Sequence, residues 1–167
     1  MESQEAELRE AMVALLPRLR RFAHALTGAQ ADADDLVQAG LERALRSLAQ
    51  FEPGTRLDSW LFRVLRNAWI DEVRARGRQA KIFAPAEAGE SIGDDAPAAL
   101  EAKREMREVA MMLQDLAEEQ RLAISLVCVE GLSYREAAAV LDVPIGTVTS
   151  RLARAREALL AKSGSNL

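Results

Sequence analysis

Apolar side chains recur at steps of four and three near the start of the chain, at Leu8, Met12, Leu15, Leu19, Phe22 and Leu26. This is the stripe that an amphipathic helix turns toward a core. Thr27-Gly28 stops it. Pro17 falls inside the stripe, where proline removes a backbone donor and crowds the preceding turn, so a kink or a helix that begins at Pro17 is expected. A second helix is expected from Asp32, whose carboxylate can accept orphan backbone N–H groups, with Val37, Leu41, Ala44, Leu45 and Leu48 buried. Phe51 to Thr55 reads as a turn. From about Leu57 a third helix carries Leu61, Val64, Leu65 and Ala68 inward, with Trp60 and Trp69 adding apolar area, and ends near Gly77.

The period then fails. Residues 84–97 hold prolines, glycines, acids and alanines in no sustained order, which reads as a flexible linker. Beyond it, Leu100 to Gln114 and Glu118 to Val129 read as helices, followed by a compact pair between Ser133 and Leu160. Nothing reads as a strand, and no repeat is present. The expected fold is all-α: a small helical domain over residues 1–82, a flexible acidic linker over 83–98, and a second helical domain over 99–167 with a helix-turn-helix.

The last pair of helices is the most informative. Ser133-Tyr134-Arg135-Glu136 has the spacing of a capping box, in which Ser133 caps the backbone ahead of it and Glu136 reaches back. The helix that follows buries Ala137, Val140 and Leu141 and breaks at Asp142-Val143-Pro144, and a second helix begins near Ile145. At 100° per residue, Val148, Leu152, Ala155 and Leu159 share one face of that second helix, leaving Ser150, Ala153, Arg154 and Glu157 opposite. Thr149 and Arg156 flank the outer face on one side, Thr147 and Arg151 on the other. Short hydroxyl side chains in the first turns with arginines behind them suit a helix that enters the major groove. Spacing alone leaves an ordinary helical hairpin with a basic, solvated face equally open.

Charge refines this picture. A net charge of −4 over 167 residues argues against a nucleic-acid binder when taken alone. Its distribution does not: residues 51–82 carry 7 basic and 4 acidic groups, and 121–167 carry 6 and 4, while 83–120 carry 3 and 10. Two basic blocks are separated by an acidic stretch, and the charge map leaves open both a merely solvated linker and a segment that folds back on the basic blocks and shields them from DNA. No apolar run approaches the roughly 20 residues of a membrane span, so membrane insertion is not expected and a cytoplasmic protein is. Cys128, the single cysteine, lies in an apolar run and is expected to pack in the core.

The runs Glu118 to Ala123, Glu130 to Ala138 and Pro144 to Arg156 resemble the sigma-4 domain of extracytoplasmic-function sigma factors of the sigma-70 family. Asp34-Asp35-Leu36-Val37-Gln38, Glu42-Arg43-Ala44-Leu45, and Ser59 to Asn67 are similar to its sigma-2 domain. The resemblance implies a non-enzymatic subunit that brings RNA polymerase to promoters, with core RNA polymerase, promoter DNA both double-stranded and melted, and an anti-sigma factor as partners. It assigns core polymerase binding to Asp35, Gln38, Glu42 and Arg43. It assigns the minus-ten element to Phe51 in the loop before the third helix, to Asn67, and to the phosphate-holding Arg63, Arg66, Arg74, Arg76 and Arg78. It assigns the minus-thirty-five element to Thr149, Ser150, Ala153 and Arg154 as base readers, with Thr147, Arg151 and Arg156 on the backbone.

Three departures stand out. Ala39-Gly40 falls where the family is often acidic and is expected to interrupt the second helix, a glycine there costing about 1 kcal/mol. Asp142 replaces the usual glycine between the last two helices, and Ala117 replaces a proline. No cofactor, metal or catalytic set is implied: His24 is the only histidine and has no nucleophile or phosphate loop beside it. The alternative from another class is a helix-turn-helix regulator that binds duplex DNA alone as a dimer.

Overall fold

A computed structural model describes residues 1–79 and 96–165, with the side chains of Arg78, Gln79 and Ser165 excepted. Seven α-helices follow one another among the described residues: α1 Glu2–Thr27, α2 Gln30–Arg46, α3 Leu57–Gln79, α4 Pro97–Leu113, α5 Glu118–Ile124, α6 Tyr134–Leu141 and α7 Ile145–Ser165. A 3-10 turn spans Leu48–Gln50, and one turn of π-helix, Ser125–Val129, extends α5. No described residue is in a strand.

The first three helices pack on one another around Leu19, Phe22, Leu26, Leu36, Leu61, Phe62 and Leu65, all essentially sealed from solvent. Phe22 and Phe62 meet edge to face, with centroids 5.1 Å apart, the arrangement favoured by aromatic quadrupoles. Helix α1 does not begin at Pro17 but runs unbroken through it. Pro17 is exposed, as is Val13 one turn earlier, so the carbonyl that loses its partner there can turn to water. Helix α2 starts before Asp32 and has no side-chain cap; Asp32 lies in its first turn. Leu45, expected to be buried, is 48% exposed.

Two glycines are fixed by close approach. Gly28 ends α1 at φ 81°, and its N–H donates to the His24 carbonyl at 2.9 Å. A Cβ on Gly28 would lie 2.5 Å from the Gln114 side chain of the second half. Gly40 does not interrupt α2, which continues to Arg46. It is buried where α2 crosses α3, and a Cβ there would lie 2.5 Å from Leu65 Cδ1. The lost helix propensity is the condition for bringing two backbones together.

In the second half, α5, α6 and α7 enclose Leu126, Val140, Leu141, Val148 and Leu152. The capping box forms as expected: Glu136 N–H donates to Ser133 Oγ at 3.1 Å and Ser133 N–H to Glu136 Oε1 at 3.4 Å. Asp142 takes the left-handed turn at φ 54°, the only described non-glycine residue with positive φ. Asp tolerates this region better than most side chains. Cys128 corrects an expectation: the π turn rotates it out of the core, and it is exposed. The two halves share one continuous hydrophobic cluster, with α1 against α4 and α3 against α6. The acidic segment read as either a solvated linker or a shield, including Glu87, Glu90, Asp94 and Asp95, lies outside the described residues.

Candidate nucleic-acid and polymerase interface

Helix α7 presents the residues that the wheel places outward. Thr149, Ser150, Ala153, Arg154 and Arg156 are exposed, opposite the buried Val148, Leu152 and Ala155. Thr149 and Ser150 hydroxyls donate to the carbonyls of Ile145 and Gly146 at 3.2 and 3.0 Å, which leaves their oxygens free to accept from a base edge. Thr147 and Arg151 are half-buried, and Arg151 reaches Glu119 at 3.8 Å. Arg156 lies beside Tyr134 and Cys128, whose hydrogen bonds and charge raise its pKa, and it stays cationic.

The outer face of α2 carries Asp35, Gln38, Glu42 and Arg43, all exposed. Three carboxylate or amide groups and one arginine thus share a polar surface on a rigid helix. Arg43 is tied to Asp71 of α3 at 2.8 Å, and Arg46 lies 3.7 Å from Glu42.

The residues assigned to a melted strand divide into open and closed ones. Asn67, Arg74 and Arg76 are exposed, with Arg76 paired to Glu72 at 2.8 Å and 3.6 Å from Asp32. Arg63 is exposed as well and donates to the Ala139 carbonyl of α6 at 2.5 Å. Arg66 bonds Asn67 Oδ1 at 3.0 Å, while its Nε is buried without a partner. Burial, and after it the neighbouring Arg63, Arg151 and Arg74, lower the Arg66 pKa against the pull of Asp142. The Arg78 side chain lies outside the described residues.

Phe51 does not present a free ring. It is buried, tilted against Trp60 with centroids 5.5 Å apart. Its open edge borders a shallow depression with Leu8, Pro53 and Gly54. In this conformation Phe51 packs the core beneath the loop and does not stand out to stack on a base.

A cluster of charges missed in the sequence joins the halves. Glu130, with no side-chain exposure, accepts from Arg21 Nε at 2.8 Å and Nη2 at 3.0 Å, and Arg18 lies 3.6 Å away. Arg18 also reaches Asp58 at 3.1 Å, and Arg56 bridges Asp58 to Glu136 of α6. Burial pushes the Asp58 pKa up, but hydrogen bonds from Arg56, Arg18 and Ser59 N–H outweigh it and hold the carboxylate below its ordinary range. Trp69 of α3 donates its indole N–H to Glu118. Arg121 donates to four carbonyls, one of them that of Leu26 in α1. These partners lie up to 112 residues apart, so no local pattern announces them. The only signal was the charge of Glu130 at the end of an apolar run. His24, half-buried, has its pKa lowered by burial first and then by Arg107. Among the described residues no group of His, Cys, Asp and Glu could hold a metal ion, and no helix is long and apolar enough to cross a membrane.

Two family models match: Sigma-70 region 2 over residues 12–79 and Sigma-70 region 4 over 106–159. The first runs from within α1 to the end of α3, and the second from within α4 into α7. The chain is 38% identical over 154 residues to the ECF RNA polymerase sigma factor EcfG of Rhodopseudomonas palustris, covering 92% of this chain and 83% of that one. It is 34% identical to the ECF RNA polymerase sigma-E factor of Escherichia coli, over 77% of this chain and 72% of the relative. Among solved structures, the sigma factor RpoE in complex with the anti-sigma factor NepR from Bartonella quintana superposes with a TM-score of 0.75 at 33% identity, covering 92% of this chain and 94% of that one. CnrH in complex with the cytosolic domain of CnrY gives 0.73 at 26% identity, over 98% and 91%. With both conserved regions in place, in order, and on the helices that carry the exposed faces described above, this chain belongs to the ECF family of RNA polymerase sigma factors.

Proposed function

We propose that this protein is the promoter-recognition subunit of an RNA polymerase holoenzyme and has no enzymatic activity of its own. It docks on core polymerase through Asp35, Gln38, Glu42 and Arg43 of α2. It reads a minus-thirty-five duplex with Thr149, Ser150, Ala153 and Arg154, held by Thr147, Arg151 and Arg156. It holds the melted minus-ten strand along α3 through Asn67 and the arginines at 63, 66, 74, 76 and 78. Its working compartment is the cytoplasm, where polymerase and DNA are. The observation that supports this most is α7 itself: a capped helix pair with a left-handed Asp142 holds one face in the core and leaves the hydroxyl and arginine face clear. The solved relatives bound to NepR and CnrY support an anti-sigma factor as a further partner.

Base reading by α7 has a direct test. Arg154→Ala should cost about 1–3 kcal/mol at the preferred minus-thirty-five sequence and little at scrambled ones, because a bidentate contact to a base edge is lost. Fluorescence anisotropy against a library of duplexes measures it. A uniform loss across all sequences would place Arg154 on a phosphate instead.

A further inference from the structure

A groove of about 590 Å³ runs along α1 where α4 and the start of α2 come up beside it. None of the residues given above to DNA or to core polymerase lines it. Its volume falls within the roughly 300–1,000 Å³ of small-molecule sites. The walls divide by chemistry. Arg20 and His24 of α1 and Lys103 and Arg107 of α4 bring cationic or protonatable groups from two helices, whereas Pro17, Ala29, Ala33, Ala102 and Met106 give a neutral surface between them. We propose that this groove binds a nucleotide, with its phosphates among Arg20, His24, Lys103 and Arg107 and its base and sugar on the neutral surface.

The protein carries a net charge of −4, so affinity for an anion has to come from the groove itself and not from the overall field. Arg20 is exposed and makes no ion pair among the described residues. Arg21, held by Glu130, closes one side, and Asp34 is the one carboxylate on the lining. Donors that converge from two helices match the several oxygens of a phosphate chain, which a single carboxylate would leave unused. The amino end of α2, which no side chain caps, opens on the same groove at Ala29 and Gln30 and adds to the positive field. Burial, and after it Arg107, lower the His24 pKa against the pull of Asp34, so the imidazole is mostly neutral at pH 7. A phosphate beside it, among Arg20, Arg21, Lys103 and Arg107, reverses that balance and draws a proton onto the ring. The promoter-recognition reading is not needed for this site, which lies apart from both DNA faces.

The test titrates ATP, inorganic tripolyphosphate and adenosine into the full-length protein by calorimetry at physiological salt, where exposed charges are screened beyond about 8 Å. ATP should bind saturably and about 10-fold or more tighter than either fragment, because only ATP uses both parts of the groove. Arg20→Gln and Lys103→Gln, one on each wall and both at exposed positions that leave the core intact, should each weaken ATP by about 10-fold, the scale of a charge-assisted hydrogen bond. Arg104→Gln makes the same charge change on α4 outside the lining and should leave ATP affinity within about 2-fold. Ala102→Leu adds volume to the neutral wall without altering charge, and should weaken ATP while sparing tripolyphosphate. The loss caused by His24→Gln should be larger at pH 6 than at pH 8, since the proton taken up by the ring is then readily supplied. Absence of saturable ATP binding overturns the proposal. So does tripolyphosphate that binds as tightly as ATP, or a loss in Arg104→Gln equal to that in Arg20→Gln, either of which marks a diffuse basic surface.

Discussion

Replacing Arg121 with methionine should lower the unfolding free energy by about 3–5 kcal/mol. The Arg121 guanidinium is nearly enclosed, with 10% side-chain exposure, and fans out to the carbonyls of Leu113 at 3.0 Å, Leu26 at 2.9 Å, Gln114 at 3.0 Å and Leu116 at 3.2 Å. The Leu113, Gln114 and Leu116 carbonyls belong to the end of α4 and the turn after it, where helix geometry leaves oxygens without intrahelical partners. The Leu26 carbonyl belongs to the last turn of α1. Methionine preserves much of the stem volume, so the loss isolates the hydrogen bonds from packing. Lysine retains the charge but presents a point donor, not a planar fork, and should recover only part of the stability. Urea denaturation measures it: the midpoint should fall with an unchanged slope. An unfolding free energy within about 0.5 kcal/mol of the parent's would show that water satisfies those carbonyls as well as Arg121 does.

Phe51→Ala should cost about 3 kcal/mol of stability, as large-to-small changes at buried aromatic sites do. The ring fills the space beside Trp60, under the loop that leads into α3. Phe51→Leu, which refills most of that volume without a flat π face, should restore most of the stability. It should also restore permanganate reactivity of the melted promoter in the holoenzyme. This separates packing from base stacking: packing needs only apolar volume, whereas stacking needs an aromatic face. If Phe51→Leu folds normally yet leaves the promoter closed, the ring belongs on a base and must leave its place beside Trp60 to do so.

The parts of the molecule legible in the sequence were those fixed by local rules. The stripe from Leu8 to Leu26, the Ser133–Glu136 capping box and the break at Asp142 each depend on a few neighbouring residues, and each forms as the pattern implied. Gly40 misled because helix propensity counts a lost methyl as a cost, while the close approach of Leu65 makes its absence a requirement. That neighbour lies 25 positions away on another helix. Cys128 misled because the apolar run around it suggests a regular helix, and the π turn, marked by the Glu130 N–H donating to Ser125 five residues back, shifts the phase. The polar face of α2 and the hydroxyl and arginine face of α7 were placed outward correctly, since periodicity governs both. The bond from Arg63 to the Ala139 carbonyl and the half-burial of Arg66 were invisible, because a basic helix face reads the same whether water, DNA or another helix lies on it.

The most direct measurement is run-off transcription with purified core RNA polymerase on a promoter library. The protein should convert core polymerase from scattered initiation to starts at discrete promoters that share a minus-thirty-five and a minus-ten element. Exchanging Asp35, Gln38 and Glu42 together for alanine should abolish those starts while duplex binding by α7 persists. The contrary result would be a protein that binds paired half-sites as a dimer, with the same preference whether or not polymerase is present, and leaves core polymerase without specific starts.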